Sequence, residues 1–137
     1  MNFNQYTIKA QEVVQRAVQI AQSNQQQVVE TGHVLKAILE EDPNTSQFLA
    51  KKGNVPLQTL NTKLEVIVNG YPRVAGTANT EYLSNDLNTA FQKAQSYLKE
   101  FNDEFVSIGL IYFIPSYFYY IIKDWICYLL SKETIFK

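Results

Sequence analysis

The chain has 137 residues, of which 46% are hydrophobic and 18% are charged. This length fits one domain, and the composition allows a packed core and argues against a disordered chain. Twelve Lys and Arg residues nearly balance thirteen Asp and Glu residues, for a formal net charge of -1. A chain with this balance lacks the broad basic footprint of a nucleic acid-binding protein, so we expect no nucleic acid partner.

Neither targeting nor metal-binding patterns are present in the sequence. The N-terminal residues 1–7 lack the basic start and the apolar block of a signal peptide. Cys127 is the only cysteine, which excludes an internal disulfide bond and a metal site of clustered cysteines. His33 is the only histidine, which excludes a multi-histidine metal site. We therefore expect a cytoplasmic protein that holds no metal and no cofactor.

Helical periodicity dominates the first half of the chain. Residues 8–21 place apolar side chains mostly on one helical face, and the hydroxyl of Thr7 is placed to cap the first turn. Thr31 is a second candidate cap, for a helix that Pro43 ends because proline disfavours a helical residue before it. Two further helices are predicted over residues 45–52 and 56–69.

The second half opens with a connection and then a long helix. Residues 70–81 carry glycine, proline, threonine and asparagine with little periodicity, which predicts an extended surface segment. Ser84 is placed to cap a helix that runs to Phe101, with Asp86 in its first turn, where the helix dipole favours negative charge. No segment before residue 105 has a convincing strand pattern, so the predicted fold class is all-α.

An internal similarity indicates a duplicated helical unit. Residues 17–22 (AVQIAQ) resemble residues 90–95 (AFQKAQ), and a polar stretch follows each. Residues 29–31 (VET) then follow in the first case, and residues 106–108 (VSI) in the second. A duplicated pair of helices can bury its apolar faces against its own copy, so we expect two related halves in one compact domain.

Catalytic motifs are absent from the sequence. There is no Gly-x-x-x-x-Gly-Lys-Ser/Thr phosphate loop and no Gly-x-Ser-x-Gly nucleophile elbow. A thiol hydrolase using Cys127 and His33 is the remaining enzyme hypothesis, but the neighbours of Cys127 are aromatic and aliphatic, which predicts a buried and inert thiol. We expect a non-catalytic chain in which His33 packs or forms hydrogen bonds at the start of its helix.

Four segments together resemble the Clp N-terminal repeat domain, and among Clp proteins that of the ClpB disaggregase. They are residues 5–12 (QYTIKAQE), 30–39 (ETGHVLKAIL), 71–76 (YPRVAG) and 102–107 (NDEFVS). The resemblance implies two four-helix repeats in a domain over residues 1–108, with repeats at about 1–69 and 82–108 joined by residues 70–81. It also implies a module that binds unfolded or aggregated polypeptides for a Clp AAA+ ring. An adaptor-docking domain of a protease-associated unfoldase is the alternative.

The resemblance also implies a substrate surface. The family's threonine at the start of the first helix corresponds to Thr7, and its aspartate after the long helix of the second repeat corresponds to Asp103. A glutamate that follows in the family is replaced here by Gly109. An apolar groove nearby would be lined by Phe91 and Leu110. On local rules alone, Thr7 would be only a cap and Asp103 only a loop residue.

The pattern changes in residues 109–137. This segment is rich in aromatic residues, and eighteen consecutive residues between Glu104 and Lys123 are uncharged. Pro115 falls where a short helix would continue and would break or kink it. We favour packing of this segment as the end of the second repeat. The alternatives are the end of a truncated or frameshifted chain and a membrane-associating tail, although this uncharged stretch is at the lower limit for a span.

Overall fold

The computed structural model describes residues 3–52, 54, 56–76 and 81–108. These residues are mostly helical, which confirms the predicted fold class. Predictions that concern Leu110, Cys127 and the remainder of residues 109–137 lie outside the described residues. The elements, in chain order, are α1 (Ile8–Ser23), β1 (Val28–Val29), α2 (Thr31–Glu41), α3 (Pro43–Lys52), α4 (Leu57–Asn69), β2 (Tyr82–Leu83) and α5 (Asn85–Ser96).

Helices α1, α2, α3 and α4 form one packed unit. Helix α1 lies along α2, and α2 also contacts α3 and α4. Two ion pairs join these helices at the surface, Arg16 with Glu40 and Lys36 with Glu65. Ion pairs that remain in contact with water contribute little to the free energy of unfolding. Apolar burial supplies most of the stability. The buried residues of α1 are Ala10, Val13, Val14, Ala17, Ile20 and Ala21.

Hydroxyl caps begin both α1 and α5, as predicted. The side chain of Thr7 accepts a hydrogen bond of 3.2 Å from the amide of Ala10, and that of Ser84 accepts one of 3.1 Å from Leu87. Helix α5 is shorter than predicted, because it ends at Ser96 and the chain continues in turns to residue 102. The amphipathic pattern continues through those turns, so periodicity alone overestimated the helix.

The start of α2 differs from the prediction by one residue. Thr31 is the first residue of the helix, and Glu30 is the cap. The ring of His33 reaches back so that Nδ1 accepts a hydrogen bond of 2.9 Å from the Glu30 amide. Glutamate or glutamine usually fills this position of a capping box, so a histidine there gave no sequence signal. The hydrogen-bonding role predicted for His33 is confirmed.

Short parallel pairings, which the sequence did not predict, connect the two halves. Strand β1 follows α1 and pairs with β2, which precedes α5, so that Val28 lies opposite Tyr82 and Val29 opposite Leu83. Tyr6 precedes α1 and forms a parallel bridge with Val106, which follows α5. In each half, the segment before the long helix therefore pairs with the segment that follows the long helix of the other half.

Equivalent hydrogen bonds show that corresponding positions in the two halves are 77 residues apart in sequence. The amide of Thr7 donates to the Val106 carbonyl over 2.9 Å, and the amide of Ser84 donates to the Val29 carbonyl over 3.0 Å. Thr7 and Ser84 are 77 positions apart, as are Val29 and Val106. These reciprocal bonds describe a pseudo-two-fold arrangement of the two halves.

The register that the sequence indicated for the long helices is therefore wrong by one turn. Matching residues 17–22 to residues 90–95 gives an offset of 73 residues, four fewer than the offset of the hydrogen bonds. A shift of four residues keeps the same helical face aligned, so amphipathic helices still share letters after such a slip. Residues 94–99 are the structural counterpart of residues 17–22.

Candidate functional site

The bridge between Tyr6 and Val106 brings the start of α1 beside the loop that follows α5. The amide of Val106 donates to the Gln5 carbonyl over 2.7 Å, and the amide of Thr7 donates to the Val106 carbonyl over 2.9 Å. Tyr6 and Val106 are both buried and anchor this contact in the core. We call the surface formed by Thr7, Ile8, Asp103, Glu104 and Phe105 the Thr7 edge.

Apolar and acidic side chains are exposed together on the Thr7 edge. Ile8 is 77% exposed and lies two residues after Tyr6, and Phe105 is 50% exposed and directly precedes Val106. Neighbouring side chains of an extended segment point to opposite sides, so burial of Val106 turns Phe105 toward solvent. Asp103 and Glu104 are also exposed. The exposed apolar and acidic side chains that the bridge brings to this edge make it the candidate contact surface.

Sequence reasoning missed Ile8 and Phe105 as site residues. The predicted apolar stripe of residues 8–21 includes Ile8, although the stripe that the helix buries begins at Ala10. A step of two residues turns a helix by about 200°, which places Ile8 on the opposite face from Ala10. Helical geometry therefore held a signal for Ile8. The exposure of Phe105 follows from the pairing of Val106 with the other half and had no local signal.

Phe91 is a core residue, and its predicted place in an exposed groove is wrong. Its side chain is 0% exposed. The ring packs edge-to-face on Phe3 and Tyr6, with centroid distances of 5.8 and 5.9 Å. This aromatic cluster joins α5 to the N-terminal segment, so apolar character at position 91 serves packing between the halves.

A different apolar groove runs along the outer side of α1. Its volume is about 420 Å³. Phe3, Val14 and Val18 supply its apolar surface, and three glutamines supply amide groups that can donate and accept hydrogen bonds. None of the residues that line this groove is charged. The glutamines are Gln11, Gln15 and Gln19.

A buried polar network holds the start of the connecting segment against α2. Nε2 of His33 lies 2.6 Å from Oε1 of Gln26, and Nδ1 accepts the Glu30 amide, so the neutral Nε2–H form satisfies both contacts. Nε2 of Gln26 donates to the carbonyl oxygens of Val68 and Tyr71 over 2.6 and 3.3 Å. Burial, with a smaller contribution from the charge of Lys36, lowers the pKa of His33 to about 4.

This network removes His33 from the thiol hydrolase hypothesis. The ring is 0% exposed, and both of its nitrogens already have partners within the described residues. A general base must reach the proton of its nucleophile in the presence of substrate, which a histidine enclosed in this way cannot do. His33 is a structural residue.

Gly32 leaves room for the Tyr71 hydroxyl beside this network, and its replacement tests the packing. A Cβ atom at this position would lie 2.6 Å from the hydroxyl oxygen of Tyr71, which now accepts a hydrogen bond of 3.2 Å from the Gly32 amide. Alanine at a helix interior normally stabilises by about 1 kcal/mol relative to glycine. We expect Gly32→Ala instead to lower the free energy of unfolding by about 1 kcal/mol, because the Tyr71 contact is lost. Urea denaturation would measure the sign, and a gain in stability would contradict the packing.

The part of residues 3–108 that the structure describes shows neither a metal site nor a membrane-spanning helix. No group of three or more His, Cys, Asp or Glu side chains is placed there to hold a metal ion. None of the helices described is both long enough and apolar enough to span a lipid bilayer.

Comparisons with known proteins agree with this architecture. The family model of the Clp repeat (R) N-terminal domain matches residues 5–111. Chaperone protein ClpB 2 of Nostoc sp. is 38% identical over 107 residues, which are 78% of this chain and 12% of that protein. Chaperone protein ClpB of Bacteroides thetaiotaomicron is 39% identical over 108 residues, 79% of this chain and 12% of that protein. The chain therefore spans about an eighth of the length of these relatives.

A solved structure has the same fold. The Hsp104 N-terminal domain of Candida albicans superposes with a TM-score of 0.75 and covers 88% of this chain and 81% of that one. Its sequence identity of 14% means that the similarity concerns the fold alone. The family match and the identity to bacterial ClpB proteins carry the assignment. This chain belongs to the Clp repeat N-terminal domain family.

Proposed function

We propose that this chain is a non-catalytic module that binds unfolded or aggregated polypeptides for a Clp-type ATP-dependent chaperone of the cytoplasm. The observation that carries the proposal is the Thr7 edge, where Ile8 and Phe105 are exposed beside the carboxylates of Asp103 and Glu104. The relatives that match this chain are named as ClpB chaperones, which supports a role in the handling of unfolded proteins.

The physical character of the edge suits such a ligand. An unfolded segment exposes apolar side chains and backbone groups that a folded protein hides, and the edge offers exposed apolar side chains that such a segment can contact. The contact area is small and a flexible ligand loses entropy on binding. We expect weak binding, with a dissociation constant on the order of 0.1 mM, which corresponds to a binding free energy of about -5.5 kcal/mol.

Substitution of Asp103 tests the proposal. We expect Asp103→Ala to weaken the binding of an unfolded polypeptide by about tenfold, equal to about 1.4 kcal/mol, through loss of a charged hydrogen-bond acceptor. Its stability should change little because the side chain is exposed. Fluorescence anisotropy with a reduced and alkylated polypeptide that cannot refold would measure the affinity. The native form of the same polypeptide serves as control, and equal binding of both forms would favour the alternative of docking a folded adaptor.

The pseudo-two-fold arrangement supplies a matched pair of variants for Thr7. Thr7→Ala and Ser84→Ala each remove an equivalent helix cap, so both should lower the free energy of unfolding by about 1 kcal/mol. Only Thr7 lies on the proposed surface, so we expect weaker polypeptide binding in Thr7→Ala and unchanged binding in Ser84→Ala. Equal affinities in the two variants would place the binding surface elsewhere.

A further inference from the structure

The loop after α1 is covered by an extended segment of the same chain. The amide of Val74 donates to the Gln25 carbonyl over 2.8 Å. The side-chain amide of Gln26 donates to the carbonyl of Tyr71 over 3.3 Å and to that of Val68 over 2.6 Å. Gln26 is only 2% exposed as a result. Residues 71–74 therefore behave as a ligand that is tethered to the loop of residues 24–28.

The loop after α5 has the same backbone geometry. Gln25 and Asn102, which are 77 positions apart, both adopt left-handed conformations, with φ values of 57° and 54°. The next amide in each loop donates over 2.9 Å to the carbonyl five positions earlier. Gln26 donates to Ala21 in α1, and Asp103 donates to Leu98 in the turns after α5. The loop of residues 101–105 is thus the structural twin of the loop of residues 24–28.

The twin loops differ in what covers them. Every residue from 101 to 105 is exposed, whereas residues 24–28 are mostly buried or half-buried. Among the described residues, no backbone amide donates to the Asn102 carbonyl, the counterpart of the Gln25 carbonyl that Val74 contacts. The second loop therefore presents the acceptor that the first loop uses to hold an extended segment.

We propose that the loop of residues 101–105 binds an extended, cationic polypeptide segment through a main-chain hydrogen bond to the Asn102 carbonyl, as the Val74 amide binds the Gln25 carbonyl of the loop of residues 24–28. The proposal rests on the proposed function and specifies the segment of an unfolded polypeptide that this surface takes. The occupant is an extended segment because the segment seated on the twin loop is extended and is held through its main chain.

The chemistry of the two loops gives the preference for positive charge. Gln26, an amide that donates to carbonyl groups, is replaced at the equivalent position by Asp103, an ionised carboxylate that only accepts. The neighbouring Gln27 is replaced by Glu104. A bound segment must therefore offer donors to the second loop, and a Lys or Arg side chain supplies both a donor and a complementary charge. The sequence of residues 71–74 itself contains Arg73.

A peptide copied from the chain's own connecting segment tests the arrangement. The blocked peptide Asn-Gly-Tyr-Pro-Arg-Val-Ala-Gly, corresponding to residues 69–76, would be titrated into the whole 137-residue chain labelled with ¹⁵N. We expect amide shifts confined to residues 101–106. N-methylation of the peptide valine removes the donor to the Asn102 carbonyl and should weaken binding at least tenfold. Arginine-to-glutamate replacement in the peptide should weaken it to a similar extent.

Two variants of the chain complete the test. Asp103→Gln introduces the residue that the twin loop has at this position. It should reduce the difference in affinity between the arginine and glutamate peptides to less than threefold. Glu12→Gln removes an equal charge from an exposed position of α1 and should leave that difference unchanged. Peptide shifts outside residues 101–106, or an N-methylated peptide that binds equally well, would overturn the proposal.

The outcome separates this proposal from the proposed function. If an unfolded polypeptide binds and loses affinity in Asp103→Ala while the peptide produces no shifts at residues 101–106, the twin-loop arrangement is wrong and the proposed function stands. If neither ligand binds, both are wrong.

Discussion

Replacing Phe91 with alanine is expected to lower the free energy of unfolding by about 3–5 kcal/mol, as for other large buried aromatic residues. The side chain is fully buried and contacts Phe3 and Tyr6 across the boundary between the halves. Its loss leaves a cavity at that boundary and removes both edge-to-face contacts. Because a small domain is stable by only about 5–15 kcal/mol, the variant should be close to unfolding. Urea denaturation followed by circular dichroism would measure the change.

Phe105→Ala is the matched control for this prediction. The same substitution at a residue that is 50% exposed should change stability by less than about 1 kcal/mol, while the binding of unfolded polypeptide weakens. The two phenylalanines thus separate packing from recognition. A Phe91→Ala variant that kept its full stability and lost only binding would contradict the core position and favour the groove that the family resemblance implied.

Acidification from about pH 6.5 to about pH 4 is expected to destabilise the domain through His33. Burial holds the pKa of the folded imidazole near 4, whereas an unfolded histidine titrates near 6.5. Between these values the unfolded chain binds a proton that the folded chain does not, so the free energy of unfolding falls as the pH falls. His33 contributes at most about 3 kcal/mol to the free energy of unfolding. This contribution is present in full above pH 6.5 and is lost by pH 4.

The structural reason is the hydrogen bond from the Glu30 amide. Protonation of Nδ1 removes the acceptor for that amide and places a charge in a buried site near Lys36. His33→Gln is the control, because glutamine is an ordinary residue at this position of a capping box and does not titrate. Carboxylates titrate in the same range, so the difference between wild type and variant is the relevant quantity. Parallel stability curves for the two proteins would contradict the assignment.

Local rules predicted the features of this fold that depend on neighbours in sequence. Thr7 and Ser84 cap their helices because a hydroxyl before an amphipathic run satisfies an amide of the first turn, and both bonds are present. Pro43 separates α2 from α3 for a similarly local reason. At Glu30 and His33 the same rules failed, since a histidine fills the position that glutamate or glutamine usually takes.

Features that depend on pairing between the halves could not be predicted in this way. The strands β1 and β2 have two residues each, too few to show a period, and they exist because each faces the other across the pseudo-two-fold arrangement. The burial of Phe91 and the exposure of Phe105 follow from the same contacts. For the candidate site, the family resemblance pointed to Thr7 and Asp103. Helical geometry held a signal for Ile8, whereas the exposure of Phe105 required the three-dimensional arrangement.

The measurement that tests the central claim most directly is an amide chemical-shift map of the full chain titrated with a permanently unfolded polypeptide. The proposed surface predicts shifts concentrated at residues 5–8 and 101–106, the two segments that meet at the Thr7 edge. The equivalent residues 82–85 and 24–29 should not shift, because the connecting segment already occupies that side of the pseudo-two-fold arrangement. Shifts of equal size on both sides, or none at the Thr7 edge, would contradict the claim.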